Sequence, residues 1–281
     1  MFGIFEDDWC HLRFTCQGKI LRQADAEDVI NGNTDDYHTC EVPERVEENQ
    51  RYTHIALNES AQELNLNDIE LLQNIGHGHF GEVFKAILKT TNAAVAVKLL
   101  KEQYTEVDKR DFFREIDTMQ LVPQHENVVV MLGFCKSAAR AFLVLEYLGN
   151  GNLKTYLHKS RSHNTYSNLH GGSSKLTSQN ILSYALDSAK GMAHISRYKF
   201  LHRDLAARNI LVSDTMVCKV SDFGLARDVI DSREYLSRME SPLPIRWMAP
   251  ESISASVYTT KSDVWSFGVL LWEIVTLGAT P

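Results

Sequence analysis

Gly76, Gly78 and Gly81 stand in the run Gly76-His77-Gly78-His79-Phe80-Gly81-Glu82-Val83, a spacing that suits a backbone cradle for phosphate oxygens. With no side chain at those three positions, backbone N–H groups can come close to an anion. A dinucleotide-binding fold sets such glycines between a strand and a helix. Here strand-like sequence lies on both sides, which favours a strand-turn-strand flap. Lys98 follows in Ala94-Val95-Ala96-Val97-Lys98, where a period of two puts Ala96 and Lys98 on one strand face. An ammonium entering an apolar pocket needs a counterion. Glu115 lies 17 residues on, on a helical stripe that also carries Phe112, Ile116 and Met119. Each signal alone also has a plainer reading: an ordinary glycine hairpin for the first, a lysine snorkelling off a strand for the second.

A third set narrows the choice. The run His202-Arg203-Asp204-Leu205-Ala206-Ala207-Arg208-Asn209 is followed by Asp222-Phe223-Gly224, 18 residues beyond Asp204, and then by Ala249-Pro250-Glu251. In order and spacing the series resembles the protein kinase family from Asp68 to the last residue, about three quarters of the chain. The resemblance implies that Gly76, His77, Gly78, His79, Phe80, Gly81 and Val83 form a loop over ATP. It also implies that Lys98 holds the α- and β-phosphates and that Glu115 anchors Lys98. By the same resemblance Asp204 accepts the proton of the substrate hydroxyl, while Asn209 and Asp222 hold Mg2+. Transfer of a γ-phosphoryl group is mostly positioning and charge neutralisation, so it suits hard oxygen ligands and one aimed carboxylate. Loss of that carboxylate costs on the order of 10²–10⁴ in rate. Ile75, Ala96 and Leu211 match the apolar walls around adenine, and Glu146 to Leu148 match the hinge whose backbone bonds the base. Leu145 then guards the rear pocket. Met119, Met131, His202 and Phe223 match an apolar column joining two lobes, a reading compatible with plain core packing.

The acceptor is also marked. Serine/threonine kinases usually carry a lysine two residues after the aspartate, and Ala206 occupies that position here. Arg208, four residues after Asp204, resembles the tyrosine-kinase pattern, in which the arginine does a similar electrostatic job from another angle. Leu243-Pro244-Ile245-Arg246-Trp247-Met248 resembles the tyrosine-kinase substrate platform. Between Asp222 and Glu251, the activation loop by resemblance, Tyr235 is the single tyrosine. A phosphate there adds about -1.5 to -2 charge, which Arg203 is placed to bind. Tyr166, in Tyr166-Ser167-Asn168-Leu169, resembles a docking site for phosphotyrosine-reading adaptors, although a plain loop tyrosine is the readier reading. Tyr37 and Tyr52 are weaker versions. The wording from Asp204 to Asn209, an insert after Leu157, and Trp272 to Gly278 resemble receptor tyrosine kinases more than non-receptor ones. That implies a parent that is a single-pass plasma-membrane receptor with this part on the cytoplasmic side, substrates bearing tyrosine, and self-association for trans-autophosphorylation. The competing classes are a non-receptor tyrosine kinase, a serine/threonine kinase and a kinase-fold scaffold impaired by truncation.

These residues need elements to hold them. The 281 residues, 44% hydrophobic and 23% charged, form an ordinary globular composition. A net charge of -7 argues against a nucleic-acid surface. Five cysteines form no CxxC pair, which suits a reducing compartment. The longest apolar stretch, Trp265 to Ala279, is broken by Glu273 and falls short of the ~20 residues of a span. Residues 1–66 read as a flexible, acidic, juxtamembrane-like leader and residues 67–281 as the catalytic domain. Strands are expected at Ile69–Ile75, Glu82–Leu88, Ala94–Leu100, Val128–Cys135 and Ala141–Tyr147, with a helix at Arg110–Leu121. After Gly151 the chain turns helical, from a cap at Thr177 or Ser178 and again from Thr260-Lys261-Ser262-Asp263. The expected class is therefore α+β, a bilobal kinase fold: an antiparallel sheet lobe with one helix at 67–148, and a larger, mainly helical lobe at 149–281.

Four expectations concern departures. The last helix is hydrophobic nearly all round and should be buried, yet the chain ends three residues after Gly278, so a C-terminally truncated domain is expected. Glu251, lacking its family partner arginine, should be a buried unpaired carboxylate costing roughly 3–5 kcal/mol. Asn152 replaces the aspartate often found after the hinge, which is expected to alter ribose or substrate contacts. His77 and His79 are unusual loop residues, better read as exposed than as a metal site, for want of a third ligand.

Overall fold

Period-two patterning does make strands here, and the best example is the one carrying Lys98. The computed structural model describes residues 13–14, 20–21, 62–77, 81–137, 140–161, 176–228 and 243–281. The chain divides into two units, Met1–Ser60 and Ala61–Pro281. In the first, β1 (Arg13–Phe14) pairs antiparallel with β2 (Ile20–Leu21). Tyr37 and Tyr52 lie outside the described residues.

The second unit opens with a six-stranded sheet, β3 (Gln62–Glu63), β4 (Ile69–His77), β5 (Gly81–Leu88), β6 (Ala93–Leu100), β7 (Met131–Cys135) and β8 (Phe142–Glu146), in the order β3-β7-β8-β6-β5-β4. The pairings are antiparallel except for β3 on β7, which is parallel. This edge strand precedes the boundary expected at 67. In β6, Val95, Val97 and Leu99 turn into a core with Ile69, Ala86, Leu88, Phe142 and Val144. The alternate residues Ala96 and Lys98 therefore face the other way, beside Lys85 and Val83 of β5, which stand directly opposite them. Gly81 is opposite Leu100, and a Cβ there would come within 1.9 Å of the Leu99 carbonyl oxygen. The glycine is thus demanded by its neighbouring strand.

Helix α1 (Glu106–Leu121) begins ahead of the expected Arg110. Thr105 and Asp108 close a reciprocal cap, Asp108 N–H to Thr105 Oγ1 at 3.1 Å and Thr105 N–H to Asp108 Oδ2 at 2.9 Å. Phe112 and Ile116 are fully buried against Leu100, Met131, Ala141 and Leu143. Each such side chain contributes about 1.5–3 kcal/mol, enough to fix the helix, and with it Glu115, against the sheet.

The helical part contains α2 (Leu153–Lys159), α3 (Ser178–Arg197), α4 (Pro250–Ala255) and α5 (Thr260–Val275). The Asn152 side chain accepts from Thr155 N–H at 2.9 Å, so Asn152 caps α2. Thr177 caps α3, paired with Asn180. Four short strands follow the chain around the helices: β9 (Phe200–Leu201) with β12 (Arg227–Asp228), and β10 (Ile210–Val212) with β11 (Cys218–Val220). Among the described residues no helix is long and apolar enough to cross a membrane.

Two expectations change. Helix α5 is not buried all round: Trp265, Trp272 and Val275 are exposed, while Ser262, Asp263, Ser266 and Glu273 join Phe267, Leu270 and Ile274 inside. Asp263, Ser266 and Glu273 face inward because they bond groups of distant segments, while Ser262 closes the helix's own cap. Its cap also starts one residue earlier, with Thr259 N–H donating to Ser262 Oγ at 2.8 Å. Glu251 is exposed on α4, so no buried-charge cost attaches to it.

Candidate active site

Lys98 is buried, and its Nζ lies 2.8 and 2.7 Å from the two oxygens of Glu115 and 3.2 Å from Oδ1 of Asp222. Three elements meet at one ammonium: β6, α1 and the turn after β11. Burial works against the Lys98 charge, but the Asp222 and Glu115 carboxylates outweigh it and raise its pKa. The lysine remains cationic. Loss of solvation pushes the Asp222 carboxyl up, but the charge and hydrogen bond of Lys98, His202 and the Gly224 N–H together outweigh it, and it settles below the usual range.

Asp204 is held from two sides. Asn209 Nδ2 donates to its Oδ2 and to its backbone oxygen, both at 2.7 Å, and the Arg208 guanidinium bonds Oδ1. Burial still pushes the Asp204 carboxyl above its ordinary value, against Arg208, His202 and Asn209. Asn209 and Asp222 are brought together by the β10–β11 hairpin, which pairs Ile210 with Val220. Beyond it, Ser221 N–H and Oγ both donate to the Asn209 carbonyl at 2.9 Å. This short ladder closes the sequence gap between the two residues.

The backbone of the loop rests on α5. Asp263, buried, accepts from His202 N–H at 2.9 Å and Arg203 N–H at 3.0 Å, one on each oxygen. Arg203 takes a left-handed φ of 68° there, a conformation that costs a non-glycine residue about 1–3 kcal/mol unless it is held. The His202 ring bonds the Ser221 carbonyl at 3.0 Å and packs against Phe223 with centroids 5.7 Å apart. Met131 and Met119 sit in the α1 core. The Arg203 guanidinium lies 3.8 Å over the Tyr258 ring, and its Nε and Nη1 are buried with no hydrogen-bond partner among the described residues.

Val83 stands opposite Lys98 and Ala96 opposite Lys85 on the paired strands β5 and β6, Ile75 is exposed at the end of β4, and Leu211 on β10 bridges to Asn152. A Cβ on Gly76 would meet nothing within 4 Å among the described residues. Leu148 is buried, and its carbonyl accepts from Gly151 N–H at 3.1 Å. The Glu146 side chain is occupied elsewhere, accepting from Val130 N–H at 2.8 Å and from Lys219 Nζ at 2.8 and 2.9 Å. Leu145 stands opposite Ala96 and Met131. Gly78, His79, Phe80, Tyr166 and Tyr235, with the side chain of His77, lie outside the described residues.

Near the expected acceptor platform, Arg208 stacks 4.3 Å from the Trp247 ring centroid. Trp247 Nε1–H donates to Glu273 Oε2 at 2.9 Å, and Ala207 N–H donates to the same oxygen at 2.8 Å. Ser266 Oγ donates to the Trp247 carbonyl at 2.7 Å. Asp263, Glu273, Tyr258 and Lys219 are site-supporting residues that sequence reasoning passed over. The available signal was two carboxylates inside an otherwise apolar helix.

Two oxygen-bearing groups fit a hard cation. Asn209 spends its amide nitrogen on Asp204, which leaves its carbonyl oxygen, and the Asp222 side chain is 42% exposed with one oxygen engaged by Lys98. Among the described residues no group of three His, Cys, Asp or Glu gathers as a metal site. Two protein ligands suit an ion that completes its shell with water and substrate phosphates.

The sequence profile of the protein tyrosine and serine/threonine kinase family matches residues 69–281. Over 212 residues, 74% of the chain, the sequence is 48% identical to the tyrosine kinase receptor Cad96Ca of Drosophila melanogaster, covering 27% of that protein. It is 42% identical over 223 residues to the angiopoietin-1 receptor of Danio rerio, with 78% of the chain and 20% of that protein covered. It is 41% identical over 241 residues to the fibroblast growth factor receptor of Halocynthia roretzi, with 78% of the chain and 31% of that protein covered. The chain therefore spans less than a third of the length of these relatives.

Proposed function

Because the chain belongs to the protein tyrosine and serine/threonine kinase family, whose substrate is ATP, we propose that it transfers the γ-phosphoryl group of ATP to tyrosine hydroxyls of proteins as the catalytic domain of a receptor tyrosine kinase. The observation that carries this reading is Lys98 bound to both Glu115 and Asp222, beside an Asp204 held by Asn209 and Arg208. Lys98 orients the α- and β-phosphates, and Glu115 holds Lys98 in place through its two short bonds. Asp204, its carboxyl raised by burial, accepts the phenol proton as the acceptor oxygen attacks. Arg208 fixes one Asp204 oxygen and Asn209 the other, so the carboxylate is held in one orientation toward the acceptor. Asn209 and Asp222 hold Mg2+. When bound, that ion supplies neutralisation of phosphate charge. Gly76, His77, Gly78, His79, Phe80, Gly81 and Val83 form the flap, while Ile75, Ala96, Leu211 and the backbone of Glu146 to Leu148 receive adenine.

The receptor assignment draws on the printed names of the relatives. It places the domain on the cytoplasmic side of a single-pass plasma-membrane protein, with residues 1–66 as a juxtamembrane leader. Phosphorylation of Tyr235 in trans, with Arg203 receiving the phosphate, activates the domain. The buried guanidinium with two unpartnered nitrogens supports that role. Phosphorylated Tyr166 recruits phosphotyrosine-reading adaptors.

The test is to incubate the purified chain with Mg2+ and ATP and follow phosphotyrosine on a generic peptide and on Tyr235, beside an Asp204→Asn control. Signal confined to the unmutated chain is expected. Retained nucleotide binding without transfer would make the chain a scaffold instead. Tyr235→Phe is expected to lower activity, and an unchanged rate would remove Tyr235 as the switch.

A further inference from the structure

We propose that Glu273 is the positioning residue that sets the tyrosine-acceptor platform against the loop carrying Asp204, acting through the indole of Trp247. The proposal rests on the tyrosine-kinase reading above. Glu273 is completely buried, and no cation bonds it among the described residues. A carboxylate in such a place costs free energy unless its hydrogen bonds are worth having. It spends one oxygen, Oε2, on two donors from separate segments: Trp247 Nε1–H at 2.9 Å, and Ala207 N–H at 2.8 Å. Its other oxygen has no partner among the described residues. One atom therefore measures the distance between the acceptor segment and the backbone three residues after Asp204.

The link closes a circuit. From Asp204 the Arg208 guanidinium reaches back over the Trp247 ring, 4.3 Å from its centroid. The edge of the same indole is bonded to Glu273, and Glu273 returns to Ala207, next to Arg208. Ser266 Oγ, two turns before Glu273 on the same helix, holds the Trp247 carbonyl at 2.7 Å. Trp247 is thus fixed at its face, its edge and its backbone. A phenol is long and reaches Asp204 only if the segment presenting it keeps its height, so rotation of the indole displaces the acceptor and leaves the nucleotide side untouched. Neither Glu273 nor Trp247 contacts Lys98, Glu115 or Asp222 through any bond described above. The effect therefore falls on peptide use and not on ATP use.

Three variants separate the bond from general packing. Trp247→Phe keeps an aromatic ring for Arg208 and removes the indole N–H together with the rest of the five-membered ring, so it is read beside the two Glu273 variants, which leave the indole whole. Glu273→Met keeps volume and removes the acceptor. Glu273→Gln keeps one acceptor oxygen. Expected is a rise of about tenfold in KM for a tyrosine peptide in Trp247→Phe and Glu273→Met, with KM for ATP within about twofold and most of the loss recovered in Glu273→Gln; tenfold corresponds to ~1.4 kcal/mol. Equilibrium binding of a fluorescein-labelled tyrosine peptide, alongside ADP binding, reads the same difference without turnover. Unchanged peptide affinity in Trp247→Phe overturns the proposal. So does an equal loss of peptide and nucleotide affinity, which would mark Glu273 as a packing residue. An unmutated chain that binds peptide but forms no phosphotyrosine would instead remove the tyrosine-kinase reading and leave the positioning result legible.

Discussion

Replacing Asp263 by asparagine is the most incisive perturbation of the scaffold. The aspartate presents one oxygen to His202 N–H at 2.9 Å and the other to Arg203 N–H at 3.0 Å. An asparagine keeps one acceptor and turns an NH2 group toward the remaining N–H, so one charge-assisted bond is lost outright. A hydrogen bond to a charged group contributes about 1.5–3 kcal/mol. Arg203, at φ 68°, then loses part of what holds its left-handed backbone, itself a strain of about 1–3 kcal/mol that relaxation can release. Release of that strain, and removal of a charge that burial disfavours, offset part of the lost bond, so the expected cost is about 1–3 kcal/mol. For a domain of this size each kcal/mol lowers Tm by about 2–4 °C, giving a fall of roughly 2–12 °C in a thermal melt. Asp204 is the next residue, so kcat should fall on the order of 10–100-fold while KM for ATP holds, because Lys98 and its partners are bound by other elements. Thermal unfolding and single-turnover phosphorylation measure the two quantities. A Tm shift under about 2 °C with kcat within twofold would show that the two N–H groups find other acceptors and that the Asp263 tether is dispensable.

The pH behaviour follows from the shifts at the site. Asp222 lies below its ordinary value, so its stabilising contribution is present above that value and lost as pH falls through the lower, folded one; Lys98 is raised, so its contribution is complete below its ordinary value near 10.4 and lost only above it. Glu115, its carboxyl pushed up by burial against the pull of Lys98, is the first carboxylate of the cluster to protonate as pH falls, so nucleotide binding should hold up to about pH 10 and decline on the acid side above the usual glutamate range. Asp204 is raised, so the acid limb of kcat/KM should sit above the usual aspartate range, and Arg208→Gln should move it to higher pH; a limb that moves down contradicts the assignment. Gly191→Ala gains helix propensity of about 1 kcal/mol, but its Cβ would stand 2.3 Å from the Asn127 oxygen and 2.7 Å from Val220 Cγ2. Overpacking of about 1–3 kcal/mol is expected to win, lowering the urea midpoint at constant m. A stabilised variant would show that α3 has room to move away.

What could be read in advance was whatever local spacing encodes. Lys98 faces the site because alternate residues of β6 are apolar, and Glu115 meets it because Phe112 and Ile116 anchor that helix stripe. The start of α1 was missed because Glu106 to Lys109 are polar and show no apolar period, while the Thr105–Asp108 cap is a two-residue signal. The parallel edge strand β3 consists of two exposed polar residues, whose pairing depends on β7 some seventy residues away. Asp263 and Glu273 looked like a cap and an interruption. Their work is done on donors 60 to 66 residues distant, and no window of sequence contains both ends of those bonds.

The inside-out dressing of α5 has a consequence for how this chain tolerates change. An ordinary amphipathic helix can lose a surface lysine at no cost and cannot lose a core leucine. In α5 the tryptophans Trp265 and Trp272 sit outside, while two serines, an aspartate and a glutamate are enclosed. A library screened for folding should therefore accept polar replacements at 265 and 272 and reject leucine at 263, 266 and 273. A hydropathy ranking would order those five positions the wrong way round.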